Sequence, residues 1–262
     1  MSGSAAGAPV VLRAEGLSVN YGGVKALVDA TIEVCKGQLV GLIGPNGAGK
    51  TTFIDAISGF TAARGRVVLG GADISRLAPQ VRARRGLART WQSTELFDDL
   101  KVRENLAVAC KLPPLPRLLG SILTGRPVED PGIERSLELL GLGKLRDEFP
   151  PNLSQGQRKL VGVARALAPA PSLLCLDEPA AGLDTEESRV LGVRLQEIAR
   201  SGVATLLIDH DMDLVLTISD YVYVLDFGRL IAQGPPAEVR LNPEVIRAYL
   251  GQAETDQAAA TR

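Results

Sequence analysis

Three short apolar runs dominate the hydrophobic pattern of the chain, at Gln38 to Ile43, Ser172 to Leu176 and Val203 to Ile208. Each run is almost uninterrupted, as expected for parallel strands that helices cover on both faces. A stretch with helical periodicity follows each run, and these stretches lie at Lys50 to Ser58, Thr185 to Arg200 and Met212 to Ser219. The alternation of strands and helices predicts an α/β core.

The segments outside these runs have different patterns. Short β-branched stretches between Val10 and Cys35 are broken by Gly22-Gly23, which favours an antiparallel β layer. In the stretch that follows Gln92, prolines separate two helical pieces, at Val102 to Cys110 and Gly132 to Leu140. We therefore expect a helical subdomain inserted into the α/β core.

The domain boundaries follow from these patterns. A hairpin is predicted from Tyr221 to Gln233 around Asp226-Phe227-Gly228. We expect one domain at 10–251, with a flexible N-terminus at 1–9 and a flexible polar tail at 252–262. Within the domain, the core is assigned to 10–92 and 153–234, the helical subdomain to 93–152, and a C-terminal extension to 235–251.

Composition excludes several classes of protein. Lys and Arg number 29 against 30 Asp and Glu, so the net charge gives no electrostatic reason to expect nucleic-acid binding. Three widely spaced cysteines and 1 histidine favour reduced cytosolic thiols over a disulfide framework or a zinc site. The first residues lack the blocks of a signal peptide, and no apolar run approaches the ~18 residues of a membrane span. The chain itself is expected neither to be exported nor to cross a membrane.

Residues 44–51 carry the most specific chemical motif. They fit the pattern GxxxxGK[ST] and lie between an apolar strand and a helix, which is the context that this motif requires. The glycines let backbone N–H groups converge on phosphate oxygens, Lys50 can reach the β and γ phosphates, and Thr51 is left to ligate Mg²⁺. The alternative is a glycine-rich turn with a solvated lysine. The candidate ATP-binding residues of the loop are Gly44, Pro45, Asn46, Gly47, Ala48, Gly49, Lys50, Thr51 and Thr52.

Two carboxylates end the second apolar run, at Asp177 and Glu178. Ligands gather at the carboxyl ends of strands in open α/β sheets, so Asp177 is predicted to hold Mg²⁺. The adjacent Glu178 faces elsewhere and is predicted to polarise the attacking water. A polar turn at the end of a strand is the alternative for both residues.

Ser154-Gln155-Gly156-Gln157 precedes an apolar helical pattern and is typical of a capping box that opens a helix. A helix N-terminus fronted by a serine hydroxyl and a glycine is also an anion site that suits a γ phosphate. The chain would then have two phosphate-seeking helix starts, at Lys50 and Ser154. The natural arrangement is a head-to-tail pair of subunits that buries two ATP molecules.

With Leu153 before it, this stretch resembles the signature of ATP-binding cassette (ABC) proteins, and it stands 23 residues before Asp177. The order of motifs is similar to that of an ABC ATPase subunit over nearly the whole chain, from about Val11 to Gly251. The resemblance implies a P-loop NTPase (RecA-like) core with an antiparallel β subdomain and an inserted α-helical subdomain. It also implies ATP hydrolysis with Mg²⁺ as cofactor.

The resemblance assigns roles to further residues. Tyr21 matches the aromatic residue that stacks on adenine, with an ordinary edge-strand tyrosine as the alternative. Gln92 matches the glutamine that senses Mg²⁺ and the attacking water, or it is a plain loop residue. Asp184 matches the loop that crosses to the partner's site, and it can also cap the helix that starts at Thr185. His210, 32 residues after Glu178, matches the switch histidine that contacts the γ phosphate, although a lone histidine often has no such role.

Finer features indicate a cargo. Ala180-Ala181-Gly182-Leu183, the stretch His210 to Val215 and the C-terminal Asn242 to Gly251 are similar to the ATP-binding subunits of bacterial branched-chain amino-acid importers. Gln155 replaces the glycine usual in the signature, and Trp91 replaces the phenylalanine usual before the glutamine.

The resemblance implies a set of partners as well. We expect a second ABC ATPase subunit, identical or different, transmembrane permease subunits and, indirectly, an extracytoplasmic substrate-binding protein, with the chain peripheral at the cytoplasmic face of the cell membrane. ATP binding would close the pair, and the trans side of each site would comprise Ser154, Gln155, Gly156, Gln157 and Asp184. Leu112 to Pro116 and Leu96-Phe97 are candidates for docking to the permease, with loose loop packing as the alternative.

Other functions stay open at this stage. A soluble ABC ATPase of DNA repair or translation is the main alternative, but the chain has neither a very long insertion nor a second cassette. An ABC transporter ATPase for a different cargo is equally compatible with the motifs. A P-loop kinase would leave Ser154 and His210 without a role.

Overall fold

A computed structural model describes residues 7–91, 95–110 and 130–249 of the chain. The chain divides into two compact units. The sheet unit comprises Met1–Gln92 and Ser172–Arg262, and the helical unit comprises Ser93–Pro171.

The sheet unit contains a four-stranded antiparallel sheet in the order β2-β1-β4-β5. Its strands are β1 (Val10–Tyr21), β2 (Val24–Cys35), β4 (Arg64–Leu69) and β5 (Ala72–Asp73). Gly22-Gly23 forms the turn between the first two strands, as the sequence predicts. Alternate residues of β1 and β2, among them Leu12, Ala14 and Ile32, are fully buried, which is the period-2 pattern of a sheet with one covered face.

The second sheet of this unit has six strands in the order β10-β9-β3-β8-β7-β6. Five of these strands, β3 and β6 to β9, run parallel, and β10 pairs antiparallel with β9. Every residue of β3, β7 and β8 is buried, which explains the uninterrupted apolar runs. The strands are β3 (Leu39–Ile43), β6 (Leu87–Arg89), β7 (Leu173–Asp177), β8 (Ala204–Ile208), β9 (Tyr221–Asp226) and β10 (Arg229–Gly234).

The helices are numbered along the chain. Those of the sheet unit are α1 (Lys50–Ser58), α2 (Pro79–Arg84), α6 (Thr185–Arg200), α7 (Met212–Ile218), α8 (Pro236–Arg240) and α9 (243–249). Those of the helical unit are α3 (Val102–Ala107), α4 (Pro131–Leu139) and α5 (Gln155–Leu167), with short 3₁₀ turns at Gly143–Leu145 and Pro150–Asn152. None of the helices within the described ranges is long and apolar enough to cross a membrane.

One apolar core joins the two sheets of the sheet unit. Phe53, Ile54 and Ile57 of α1 are fully buried in it, together with residues of β1, β2, β3 and β8. Arg82 of α2 joins that helix to the end of α1, because its guanidinium donates to the backbone carbonyls of Ala56 and Ile57 at 2.8 Å. These two carbonyls belong to the last turn of α1, whose backbone acceptors lack partners within the helix or share one at its end.

The helical unit ends at Pro171 rather than at the predicted residue 152. The reason is α5, whose buried Leu160, Val161 and Ala164 give it an apolar face within this unit. Its C-terminal end meets α4 closely, because an added Cβ at Gly132 would lie 2.2 Å from the carbonyl oxygen of Ala168. The stretch between 60 and 91, where no element was predicted, contains β4, β5, α2 and β6.

The predicted docking residues differ in exposure. Leu96 is buried within the helical unit, so its assignment to a docking surface is wrong, whereas Phe97 is exposed. Asn105 explains this arrangement, since its buried side-chain amide accepts from the backbone N–H of Phe97 and donates to the carbonyl of Leu100. It thereby fixes the loop that turns Leu96 inward. The segment Leu112 to Pro116 lies outside the described residues.

The hairpin between β9 and β10 has an unusual turn residue. Arg229 pairs with Asp226, so Phe227 and Gly228 alone form the loop, with φ values of 43° and 76°. Positive φ at both positions is the type I′ pattern, which favours Asn or Gly at the first position. Phe227 is 86 % exposed, so no burial of its ring offsets the backbone strain.

Replacing Phe227 with asparagine should therefore stabilise the protein by about 1 kcal/mol, since asparagine tolerates the left-handed region. Urea denaturation gives the free energy of unfolding. Leu241→Asn is a matched control, because Leu241 is also exposed but has φ −95° and should gain nothing. A loss of stability in Phe227→Asn would show that the ring contributes more than its strain costs.

Candidate functional site

The carboxyl ends of three neighbouring strands gather the predicted chemistry. In β3, Leu42 pairs with Ile208 of β8, and in β7, Asp177 pairs with the same Ile208. The strands therefore end level with one another. The phosphate loop that follows β3, the carboxylates of β7 and the Asp209-His210 pair after β8 consequently share one edge of the sheet.

The phosphate loop is shaped by glycines that no other residue can replace without strain. Gly44 has φ 153°, and an added Cβ would lie 2.1 Å from the carbonyl oxygen of Leu225 in β9. Gly49 is left-handed, precedes α1 and lies against the carbonyl oxygen of Ala26 in β2. Gly47 differs, because nothing lies within 4 Å of its added Cβ. The loop is thus packed against two strands on one side and open at its tip.

The first turn of α1 is suited to an anion. Its N-cap residue is Gly49, which has no side chain to cap the helix, and an uncapped helix start is a common binding place for phosphate. Lys50 is buried at the same point, and its Nζ donates to the carbonyls of Gly44 at 2.7 Å and Pro45 at 2.9 Å. Burial lowers the pKa of the Lys50 ammonium, while Glu178, Asp177 and Asp209 act to raise it. A cation held only by neutral carbonyls can exchange them for phosphate oxygens.

Asp177 and Glu178 are separated by the backbone. Burial raises the pKa of the Asp177 carboxyl, although the hydrogen-bonded guanidinium of Arg89 acts against that rise. Glu178 has φ 48°, and its N–H donates to the carbonyl of Ile208 at 2.7 Å. This left-handed residue costs about 1–2 kcal/mol of strain, a feature that concentrates at functional sites.

His210 lies beside Glu178 and over a buried acid. Its Nδ1 is 3.8 Å from Oε2 of Glu178 and 3.5 Å from Oδ1 of Asp209. Asp209 is fully buried and accepts from the backbone N–H groups of Ala180 at 3.2 Å and Asp211 at 3.0 Å. It therefore ties the loop after Glu178 to the loop that carries His210. Sequence reasoning missed Asp209, although its place at the end of an apolar strand could have indicated it.

The remaining predicted residues lie at separate places. Tyr21 ends β1, is half exposed, and its hydroxyl lies 3.0 Å from Oγ1 of Thr61. Asp184 caps α6, since its Oδ1 accepts from the N–H of Glu187 at 2.8 Å. Gln92 lies outside the described residues.

Ser154 lies in the helical unit and opens α5 through a complete capping box. Its Oγ accepts from the N–H of Gln157 at 3.2 Å, and Oε1 of Gln157 accepts from the N–H of Ser154 at 2.9 Å. The capping interpretation of this stretch is confirmed. Gly156 is buried and Gln155 is exposed within the first turn of the same helix.

Two further residues escaped the sequence analysis. Arg89, at the end of β6, donates to Asp177 at 2.9 Å, and only the structure brings these two residues together. Tyr249 was noted only as part of a C-terminal resemblance. Burial raises the pKa of its phenol to about 12, and the backbone N–H of Gly44 opposes the rise, which places α9 against the phosphate loop.

The donor set fits Mg²⁺, a hard cation that prefers carboxylate and hydroxyl oxygens. Asp177 supplies a carboxylate whose second oxygen is not engaged by Arg89, and Thr51 supplies an exposed hydroxyl one residue after Lys50. Mg²⁺ usually takes one or two protein ligands and completes its shell with phosphate oxygens and water. The residues at this edge therefore suit a metal that arrives with a nucleotide.

The chain has many known relatives. The family described as "ABC transporter" matches residues 27–181, and the family "Branched-chain amino acid ATP-binding cassette transporter" matches residues 229–255. The high-affinity branched-chain amino acid transport ATP-binding protein LivG of Salmonella typhimurium is 38 % identical over 251 residues, covering 93 % of this chain and 98 % of the relative. The corresponding BraF of Pseudomonas aeruginosa is 36 % identical over 256 residues, with 93 % and 98 % covered.

Solved structures give the same result. A nucleotide-free ATP-binding cassette from an ABC transporter is 33 % identical, with a TM-score of 0.78, and the match covers 92 % of this chain and 98 % of the other. The ADP conformation of an ATP-binding cassette of an ABC transporter is 34 % identical, with a TM-score of 0.78 and coverage of 92 % and 99 %.

Two of the three loop glycines, Gly44 and Gly47, provide a test of the loop's packing. Gly44→Ala should lower the free energy of unfolding by about 3 kcal/mol or more, because the new methyl group meets the backbone of β9. Gly47→Ala adds the same methyl group to the open tip, so only its left-handed backbone counts against it, at about 1–2 kcal/mol. Both values come from urea denaturation. Equal losses in the two variants would contradict the packing of Gly44 against Leu225.

Proposed function

Since the chain belongs to the ABC transporter family of ATP-binding cassettes, we propose that it hydrolyses ATP to power an importer of branched-chain or related amino acids. The cargo assignment is supported by the relatives LivG and BraF, which are branched-chain amino acid transport ATP-binding proteins. The match of residues 229–255 to a family with the same cargo supports it independently of the nucleotide motifs.

The observation that carries the ATPase function is the convergence of a phosphate loop, two carboxylates and a histidine at one edge of a parallel sheet. Backbone N–H groups at the start of α1 and the ammonium of Lys50 bind the phosphates of ATP. Asp177 and Thr51 hold Mg²⁺, and Gln92 is assigned to the same metal through the family resemblance. When bound, the metal supplies charge neutralisation at the β and γ phosphates. Tyr21 offers its half-exposed ring to adenine.

Glu178 is the proposed general base. Its carboxylate oxygen Oε2 lies 3.8 Å from Nδ1 of His210. It polarises the water that attacks the γ phosphate, a role that contributes roughly 10²–10⁴-fold in rate. His210 contacts the γ phosphate, and the buried Asp209, 3.5 Å from its Nδ1, orients its ring. The reaction is a phosphoryl transfer to water in which positioning and electrostatics dominate.

Ser154, Gln155, Gly156, Gln157 and Asp184 form the proposed trans half of the site. The start of α5 would bind the γ phosphate held by another subunit, so two cassettes close over two ATP molecules. A hydrogen bond to a charged phosphate contributes about 1.5–3 kcal/mol, so hydrolysis would remove a substantial part of the interface energy. Closure is the step that drives the permease.

The proposed assembly is peripheral to the membrane. The chain sits at the cytoplasmic face, bound to transmembrane permease subunits that receive cargo from an extracytoplasmic binding protein. Co-purification from solubilised membranes, with identification of the attached subunits and transport assays on the recovered complex, tests both the cargo and the partners. Recovery with a permease that transports an unrelated solute would overturn the cargo assignment and leave the ATPase proposal intact.

Glu178→Gln should preserve ATP binding, lower turnover by at least about 10²-fold and accumulate an ATP-bound dimer, because the water loses its base. Phosphate release gives the rate and size-exclusion chromatography gives the dimer. Glu33→Gln is the matched control, since Glu33 of β2 forms its ion pair with Arg13 of β1 and not with the phosphate loop. Undiminished turnover in Glu178→Gln would remove Glu178 from its role.

Ser154→Ala should lower turnover by about 10- to 100-fold, because one hydrogen bond to the γ phosphate is lost. ATP binding to the isolated monomer, measured by calorimetry, should stay within about twofold, since Ser154 acts on the partner's nucleotide. Asp130→Ala is the control: Asp130 caps α4 in the same unit by accepting from Gly132 at 2.8 Å, so it removes a comparable cap. Equal turnover in the two variants would mean that Ser154 acts only as a cap.

A further inference from the structure

Arg89 is a buried cation that joins two acids from different elements. Its side chain is only 7 % exposed, and its guanidinium donates to Asp55 of α1 at 2.5 Å and to Asp177 of β7 at 2.9 Å. The planar fork of arginine can hold two carboxylates in fixed directions, which a lysine ammonium cannot do. Arg89 therefore fixes the helix that follows the phosphate loop relative to the carboxylate assigned to the metal.

The backbone beside Arg89 is tied to the same strand. Thr90 donates its N–H to the carbonyl of Cys175 at 2.9 Å, and its Oγ1 accepts from the N–H of Asp177 at 3.3 Å. Residues 89 and 90 thus hold Asp177 through both its side chain and its backbone. A displacement of Asp177 would be passed to this short segment rather than absorbed by a flexible loop.

Two aromatic rings also lie against the guanidinium of Arg89. Arg89 lies 4.5 Å from the ring centre of Trp91 and 5.8 Å from that of Phe60, and the two rings contact each other edge to face at 5.1 Å. Trp91 is 52 % exposed and Phe60 is 54 % exposed. The same guanidinium therefore contacts both the carboxylate assigned to the metal and an exposed aromatic pair.

We infer that Arg89 is a positioning residue that couples the metal and nucleotide site at Asp177 to the exposed Trp91 and Phe60 pair. The inference rests on the proposed function, because it takes Asp177 as a ligand of the metal that accompanies ATP. A cation that approaches Asp177 weakens the attraction of that carboxylate for Arg89, and the guanidinium then shifts against the rings. Coupling between two sites is reciprocal. If metal binding shifts the contact between Arg89 and the rings, a change in that contact must in turn alter the affinity for the metal.

Trp91 is the single tryptophan of the chain, so its fluorescence reports this contact without a label. The wild type is titrated with ATP in excess EDTA and with ATP plus Mg²⁺, while calorimetry follows nucleotide binding in parallel. We expect a change in Trp91 emission that requires Mg²⁺. We expect Arg89→Lys to bind ATP in EDTA but to lose most of this Mg²⁺-dependent change.

Arg66→Lys is the matched control, because Arg66 forms an exposed ion pair with Asp73 and should keep the full signal. An Mg²⁺-dependent signal in Arg89→Lys equal to that of the wild type would overturn the inference. So would binding of Mg²⁺ and ATP to the wild type without any change in emission. If calorimetry detected no ATP binding at all, the proposed function itself would fail, and the two failures are thereby distinguished.

The reciprocal effect is measured on Trp91 variants by calorimetry, which needs no tryptophan. Mg²⁺ tightens ATP binding, and the Mg²⁺ concentration that gives half of this effect is the quantity measured. Trp91→Ala should raise that concentration by about fivefold or more, which is the low end of measured coupling between sites. Trp91→Phe retains an aromatic face for Arg89 and should stay within about twofold. Identical Mg²⁺ requirements in the two variants would overturn the coupling, even if both fold normally.

Discussion

The register of the parallel strands is the constraint on which the site depends. Ile208 of β8 pairs with Leu42 on one side and with Asp177 on the other, so β3, β8 and β7 reach the same edge of the sheet together. A slip of one residue in either pairing would turn the end of a strand to the opposite face. The apolar side chains of these strands resist such a slip, because every one of them is buried. The core thus fixes the geometry of the proposed site.

Charge is balanced within this edge by internal partners. Lys50 donates hydrogen bonds to two loop carbonyls, and Arg89 forms ion pairs with two carboxylates. Asp209 accepts hydrogen bonds from backbone N–H groups. Buried polar groups without partners are costly, so each ion keeps a partner in the protein. The contacts of Lys50 are with neutral atoms and are easily exchanged for phosphate. Those of Arg89 are with charged atoms, so they respond to a change in the charge of either carboxylate.

Much of this arrangement is visible in the sequence, for physical reasons. The ends of α1 and α6 coincide with their predictions, because Gly59 stops one helix and Asp184 caps the other. The strands between residues 60 and 91 are short and show no clear alternation of apolar and polar residues, so the sequence does not predict them. Arg89 could not be found either, since its partners Asp55 and Asp177 are distant in the chain and meet only through the sheet. The sequence analysis assigned α5 to the core, but the helix belongs to the helical unit. Its packing, which the sequence motif does not show, decides where that unit ends.

The position of β3 also has a consequence for biosynthesis. This strand pairs on both sides with strands that appear roughly 165 and 180 residues later in the chain. At a translation rate of about 5–20 residues per second, its apolar edges wait on the order of 8–35 s for their neighbours. During that time the strand can pair with other chains, as unpaired apolar edges do. Cover of this strand by a chaperone during synthesis would therefore protect the nascent chain from pairing with its neighbours.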